Sequence, residues 1–241
     1  MKVEVLSDSD AVARRAAVLI AGEARAAVAA RGRFLMAVSG GRTPWVMLRA
    51  LADEDVPWPA VHVFQVDERI APAGDPDRNL THLEESLLSR APLPPDQLHA
   101  MPVEAADPDA GARSYAATLE QLAGVPPVLD LVHTGLGPDG HTASLVPDDP
   151  VLDVADRSVG LTGDYMGRRR MTLTYPVLDG ARAVLWLVTG GEKAAMLKRL
   201  VAHDPAIPAG RVRPDGARVL CDRAAAEGLT EGRRQGEGRP R

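Results

Sequence analysis

The stretch GLGPDGHTASL, Gly135 to Leu145, decides how this chain is read. Its first six residues fit G-x-G-x-x-G, the pattern of a turn that cradles a dinucleotide pyrophosphate at a helix N-terminus. Such a turn must open a long helix, and an acidic residue about 20 positions on must reach the ribose. Here Pro147 and Pro150 end any helix within about two turns, and Pro138 removes a backbone N–H from the loop itself. Asp153 and Asp156 stand near the required distance, but no clean strand carries them. The pattern fits better as a glycine turn that projects His141 from the end of a buried strand. An imidazole in that setting serves as a general base near neutral pH.

Outward from this turn, short apolar runs alternate with helical stretches. KVEVL (2–6), RFLMAV (33–38), VHVFQV (61–66), VLDLVHT (128–134), MTLTY (171–175), RAVLWLVT (182–189) and ARVLC (217–221) read as strands. Several are continuously apolar, as strands covered on both faces are. Helices are expected at about 10–30, 44–52, 79–90, 108–122 and 191–202. The first has Ser or Asp as N-cap and Gly32 as its stop; the second starts with Thr43 as N-cap and Pro44 at the first helical position. This alternation implies right-handed crossovers, hence an α/β fold: a doubly wound, mostly parallel sheet with helices on both faces. Residues 1–228 are expected to form one domain. The Pro-rich APLPPDQ (91–97) reads as an exposed loop. The stretch 229–241, poor in apolar residues and rich in glycine and charge, is expected to be a disordered tail.

In an open parallel sheet, ligands bind outside the carboxyl ends of the strands. Four loops follow strands there. SGGRTP (39–44) has two glycines that admit an anion close to the backbone, hydroxyls on Ser39 and Thr43, the cation of Arg42 and a helix N-terminus. It is a phosphate cradle without the G-K-[ST] of a P-loop. The same residues also read as a nucleophile elbow, A-x-S-x-G around Ser39, though the helix starts too late for that motif. DERI (67–70) sets Asp67, Glu68 and Arg69 at a strand end, to orient a catalytic histidine, to neutralise an anionic substrate, or as a solvated charge cluster. GLGPDGHT presents His141. GGEK (190–193) puts Lys193, one of only three lysines, in a first helical turn. Arg170 stands closest to a strand in the run Arg168-Arg169-Arg170 and adds charge for a phosphate; Arg168 and Arg169 read as a solvated face.

Composition excludes several classes. The chain has 241 residues, 45% of them hydrophobic but only 3% aromatic, so the core must be mostly Ala, Val and Leu. A net charge of -5 argues against nucleic acid. No apolar run of membrane-spanning length occurs, and the N-terminus lacks a signal-peptide core. Cys221, the single cysteine, allows no internal disulfide and suits a reducing cytoplasm.

Taken together, SGGRTP, FQVDERI, DPDRN (75–79), GLGPDGHTASLVP, RRRMTLTYPVL, VTGGEKA and CDRAAAEGL resemble the family of 6-phosphogluconolactonases, which is related to glucosamine-6-phosphate isomerases. The resemblance runs from about Ser7 to Leu229. It implies hydrolysis of a phosphorylated sugar lactone in the cytoplasm, with no cofactor, metal, nucleic acid or membrane, and glucose-6-phosphate dehydrogenase as functional neighbour. It implies His141 as base, Asp67 as orienting group, Arg69 as oxyanion stabiliser or as Asp67's gating partner, and Asp139 as a holder of the loop or of His141. Ser39, Gly40, Gly41, Arg42, Thr43, Asn79, Arg170 and Lys193 are the implied substrate ligands. The lactonase branch is favoured by Asp67-Glu68-Arg69 and by TASL after His141, where isomerases carry a run with an acidic residue for ring opening. Departures are Arg78 where lactonases often have Ser, and GDYMGRRR where a Pro-Pro pair is frequent. The alternatives are an isomerase or deaminase of the related branch, a non-catalytic sugar-phosphate sensor, and a nicotinamide-dependent dehydrogenase.

Overall fold

A computed structural model describes residues 1–213 and 215–234. In chain order the strands are β1 (Lys2–Leu6), β2 (Phe34–Val38), β3 (Val61–Gln65), β4 (Asp67–Arg69), β5 (Leu98–His99), β6 (Leu131–Gly135), β7 (Val159–Leu161), β8 (Arg170–Leu173), β9 (Val184–Val188) and β10 (Ala217–Asp222). The helices are α1 (Ser9–Arg31), α2 (Arg42–Ala52), α3 (Asn79–Leu83), α4 (Pro108–Ala123), α5 (Tyr175–Gly180), α6 (Ala194–Val201) and α7 (Arg223–Arg234). Seven strands form one sheet in the order β1-β10-β9-β6-β2-β3-β5, every neighbour parallel. The doubly wound parallel sheet is therefore present. Its order reverses direction between β2 and β6: β3 and β5 build outward from β2, while β9 and β10 build outward from β6. Ligand crevices open at the carboxyl ends of strands flanking such a switch point. SGGRTP follows β2 and GLGPDGH follows β6.

Both faces of the sheet are covered. Along β2, Phe34, Met36 and Val38 join the core beneath α1 and α2, and Leu35 and Ala37 join the core beneath α4, α5, α6 and α7. That is the two-fold alternation of a strand buried on both sides, which explains its unbroken apolar run. Helix α1 starts where Asp8 accepts the Ala11 N–H at 2.8 Å and stops at Gly32, φ +78°. Its buried face is Ala13, Ala16, Ala17, Ala21 and Ala24 around Val12 and Ile20. A chain with few aromatics thus fills its interior by bringing helix and sheet close.

Five expectations need correction. Residues 171–175 do not join the parallel sheet: β8 pairs antiparallel with β4 and β7 in a separate three-stranded sheet. Asp67-Glu68-Arg69 is itself a strand of that sheet, with Asp67 and Arg69 facing a cleft and Glu68 buried on the other side. Helix α2 begins at Arg42 with Gly41 as N-cap, and the Thr43 hydroxyl bonds the Thr189 hydroxyl at 2.8 Å instead of capping. The Pro-rich 91–97 ends in a turn feeding β5, with Ala91 and Gln97 buried. Helix α7 reaches Arg234, six residues into the stretch expected to be a tail; 235–241 lie outside the described residues.

The tight α1 contact is testable. Ala17→Leu inserts three carbons where no space exists and should lower unfolding stability in urea by about 1–3 kcal/mol. Val18→Leu, on the exposed face of the same helix, should be neutral.

Candidate active site

A cleft of about 450 Å³ opens at the switch point. It is lined from the β2 side by Ser39, Gly40, Gly41, Arg42 and Thr43, from β4 by Asp67 and Arg69, from α3 by Asn79, from the β6 turn by Gly137 and His141, and from β8 and the β9 turn by Arg170 and Lys193. Eleven of the twelve residues singled out in the sequence line this one cleft; the twelfth, Asp139, contacts His141 behind it.

The opening question has a geometric answer. No helix follows Gly135-Leu136-Gly137; the chain turns instead, with Gly137 N–H donating to His141 O at 2.8 Å and Gly140 N–H to Gly137 O at 3.1 Å. Gly140 has φ +86° and packs against Ile207, a conformation that favours glycine. A Cβ on Gly137 would collide with both His141 Nδ1 and Asp139 Oδ1. The glycines make room for a histidine and its partner, not for a pyrophosphate. His141 Nδ1 lies 2.6 Å from Asp139 Oδ1, with the imidazole 21% exposed. The His141 hydrogen bond holds the Asp139 carboxyl well below the usual carboxylate range against the opposing effect of burial, and the Tyr165 hydroxyl adds to it. An ionised Asp139 fixes the Nδ1–H tautomer, leaving Nε2 with a free lone pair.

Asp67 does another job. Its Oδ1 accepts from the Ser39 hydroxyl at 3.1 Å and its Oδ2 from the Ser144 hydroxyl at 2.7 Å. It therefore ties the cradle to the turn beyond His141. Ser39 has no imidazole as hydroxyl partner, so the nucleophile-elbow reading loses its base. Arg69 does not gate against Asp67: its guanidinium donates to Asn79 Oδ1, and Asn79 Nδ2 donates to the Asp67 carbonyl at 2.9 Å. Arg69 faces Arg170 across the β4–β8 pair. Burial, then the Arg69 charge, lower Arg170 from its ordinary value, and its Nε is buried with no partner. Two adjacent guanidiniums with an unspent donor form a site prepared for an anion. Lys193, lowered by burial, adds a third cation.

Several supports were silent in the sequence. Glu68 is fully buried and accepts the N–H groups of Arg69, Asn79 and Leu80, each at 2.8 Å, along with Gln65 Nε2 at 2.9 Å. It thereby caps α3 and aims Asn79. Arg78, the departure from Ser, lies against it with Nε 3.2 Å from Oε2 but poorly aligned for a hydrogen bond. His133, pushed down to about 3 by burial and so neutral, accepts the Ser39 N–H at 3.3 Å on Nδ1. Arg168 is no solvated face: it pairs with Asp75 and Asp77, both at 3.0 Å. Arg169 is exposed. Tyr165, on no sequence motif, touches Asp139 and His141. Only pairing across loops reveals these roles; the residue types alone do not.

Glu68→Gln leaves Arg78 buried beside a neutral amide and should cost about 3–5 kcal/mol in urea unfolding, the range for breaking a buried pair. Gly137→Ala should fold, but with the His141 and Asp139 resonances displaced in NMR spectra relative to the parent.

A comparison with known families finds that residues 7–221 match the family described as Glucosamine-6-phosphate isomerases/6-phosphogluconolactonase. The chain is 39% identical over 236 residues to the 6-phosphogluconolactonase of Synechocystis, covering 95% of this chain and 98% of that one. Among solved structures, 6-phosphogluconolactonase from Trypanosoma cruzi superposes with a TM-score of 0.84 at 28% identity, covering 95% of this chain and 97% of that chain. A monomeric glucosamine-6-phosphate deaminase shares the fold, with a TM-score of 0.80 at 18% identity over 95% of this chain and all of the other. The chain belongs to the glucosamine-6-phosphate isomerase/6-phosphogluconolactonase family.

Proposed function

We propose that the protein hydrolyses 6-phospho-D-glucono-1,5-lactone to 6-phospho-D-gluconate, a step of the oxidative pentose phosphate pathway. The observation that carries this reading is His141, presented by a glycine turn with Nδ1 committed to Asp139 and Nε2 free, in the same cleft as unpaired cations. His141 Nε2 takes a proton from water as its oxygen bonds to C1. The tetrahedral oxyanion is met by Arg69. The bond from C1 to the ring oxygen then breaks, and the imidazolium returns the proton to that oxygen. The carboxylic acid formed ionises to the carboxylate. A strained lactone is already electrophilic, so neither a covalent nucleophile nor a metal enters the scheme. Ser39, Gly40, Gly41, Arg42 and Thr43, with Arg170 and Lys193, hold the phosphate, and Asn79 holds Arg69 in place. Phosphate binding fixes C1 against the base, converting remote binding energy into orientation. Asp67 keeps the cradle and the base turn in register.

The enzyme acts in this reading as a cytoplasmic protein, on lactone delivered by a glucose-6-phosphate dehydrogenase. No described helix is long and apolar enough to cross a membrane. The related isomerase chemistry lacks support at the residue level: Thr142-Ala143-Ser144 after His141 offers no acid for ring opening.

Lactone generated in situ should be consumed well above its spontaneous rate, and His141→Ala should lose about 10²-fold or more, the contribution of a positioned base. Equal rates for both proteins would move the base elsewhere. A parent rate no higher than background would remove the lactonase reading, and ammonia release from glucosamine 6-phosphate would then test the isomerase branch.

A further inference from the structure

The chain reverses between Tyr165 and Arg168. Tyr165 N–H donates to Arg168 O at 3.0 Å and Arg168 N–H to Tyr165 O at 3.4 Å. The two residues between them, Met166 and Gly167, have φ +55° and +80°, the left-handed pair of a two-residue hairpin turn. Glycine adopts this freely, but Met166 does not, and its side chain is 82% exposed and gains no burial in return. Unfavourable backbone persists where its surroundings over-determine it. Here the turn is held at both ends. Arg168 reaches Asp75 and Asp77 on one side, and the Tyr165 hydroxyl donates to Asp139 Oδ2 at 2.8 Å on the other.

Tyr165 meets three site residues at once. Besides Asp139, its oxygen lies 3.3 Å from His141 Nδ1, and its ring meets the imidazole edge-on at 5.5 Å and 71°. The Arg170 guanidinium sits 4.8 Å from the centre of the same ring, a cation–π contact. We propose that Tyr165 is a positioning residue for the reaction: its hydroxyl holds Asp139 at the angle at which Asp139 holds His141 Nδ1–H, and its ring seats Arg170. The assignment rests on the lactonase reading for its kinetic consequence. Each Asp139 oxygen has its own donor, Oδ1 the imidazole and Oδ2 the phenol, so the carboxylate cannot rotate without losing one of them. Burial, with the bond to Asp139, pushes the phenol up to about 12, so it stays a donor at neutral pH. The other charges facing the pair are Arg170 and Lys193.

Tyr165→Phe removes one oxygen and keeps the ring. Its kcat should fall about tenfold, the order expected for one hydrogen bond to a charged group, with KM within about twofold. The acidic limb of kcat/KM should move to higher pH, because Asp139 without its second donor holds the imidazolium more strongly. Tyr165→Ala should raise KM as well, since Arg170 loses its seat. In parallel, ¹H–¹⁵N NMR of the unliganded proteins should show Nδ1–H on His141 in the parent and an upward-shifted titration in Tyr165→Phe. If the parent does not hydrolyse the lactone, the function falls but the NMR comparison still decides the role of Tyr165. An unchanged His141 tautomer and titration in Tyr165→Phe, or a KM rise with kcat and pH profile intact, overturns the proposal.

Discussion

Asp67 and Glu68 are neighbours on a three-residue strand, and both are buried. Two carboxylates taken out of water side by side are tolerated only if each is fully hydrogen-bonded. Strand alternation sends them to opposite sides, and each recruits its own partners. Asp67 takes the hydroxyls of Ser39 and Ser144, from the loops after β2 and β6. Glu68 takes the first N–H groups of α3 and lies against Arg78. The demand of these two charges for donors therefore assembles three separate loops around the cleft. Loosening the pair would release the loop after β2, the His141 turn and Asn79 together, so two buried charges hold the walls of an open cleft.

The large sheet was legible because its central strands are apolar on both faces and the loops after β2, β6 and β9 carry glycine. The candidate residues were legible for the same reason: in a parallel sheet, whatever follows a strand lands at one edge. The small sheet was not. Its strands are short, and β4 is polar throughout, so neither periodicity nor apolar content marks it. Helix α2 starts earlier than Thr43-Pro44 suggested, and the Thr43 hydroxyl is bound instead to Thr189 on the loop after β9, two strands away in the sheet and 146 residues away in sequence. Tyr165 escaped notice and Arg168 was read as a solvated face for a related reason: an aromatic or an arginine in a polar turn looks like surface until its partners are known. The sequence departure at Arg78 also becomes intelligible, since its side chain is buried against Glu68 rather than facing the cleft.

The charge arrangement separates two tasks. Arg42, Arg69, Arg170 and Lys193 crowd positive charge into the cleft, opposed by Asp67 and Glu192 in its lining and by Asp139 behind it. Those cations repel any positive charge that arises beside them. Asp139 sets a negative charge against His141 Nδ1, so the imidazole has its own counter-charge apart from the cations of the cleft.

The switch in strand order has a consequence for selectivity. The SGGRTP loop hangs from β2 and the His141 turn from β6, and these strands are hydrogen-bonded neighbours. Adjacent strands are held about 4.8 Å apart by their ladder, so the distance between the two functions is written in backbone geometry, not in side chains. The cleft behaves as a fixed gauge. Side-chain changes around it can tighten or loosen the grip on a substrate, whereas the span from phosphorus to carbonyl carbon that it accepts is inherited from the sheet itself.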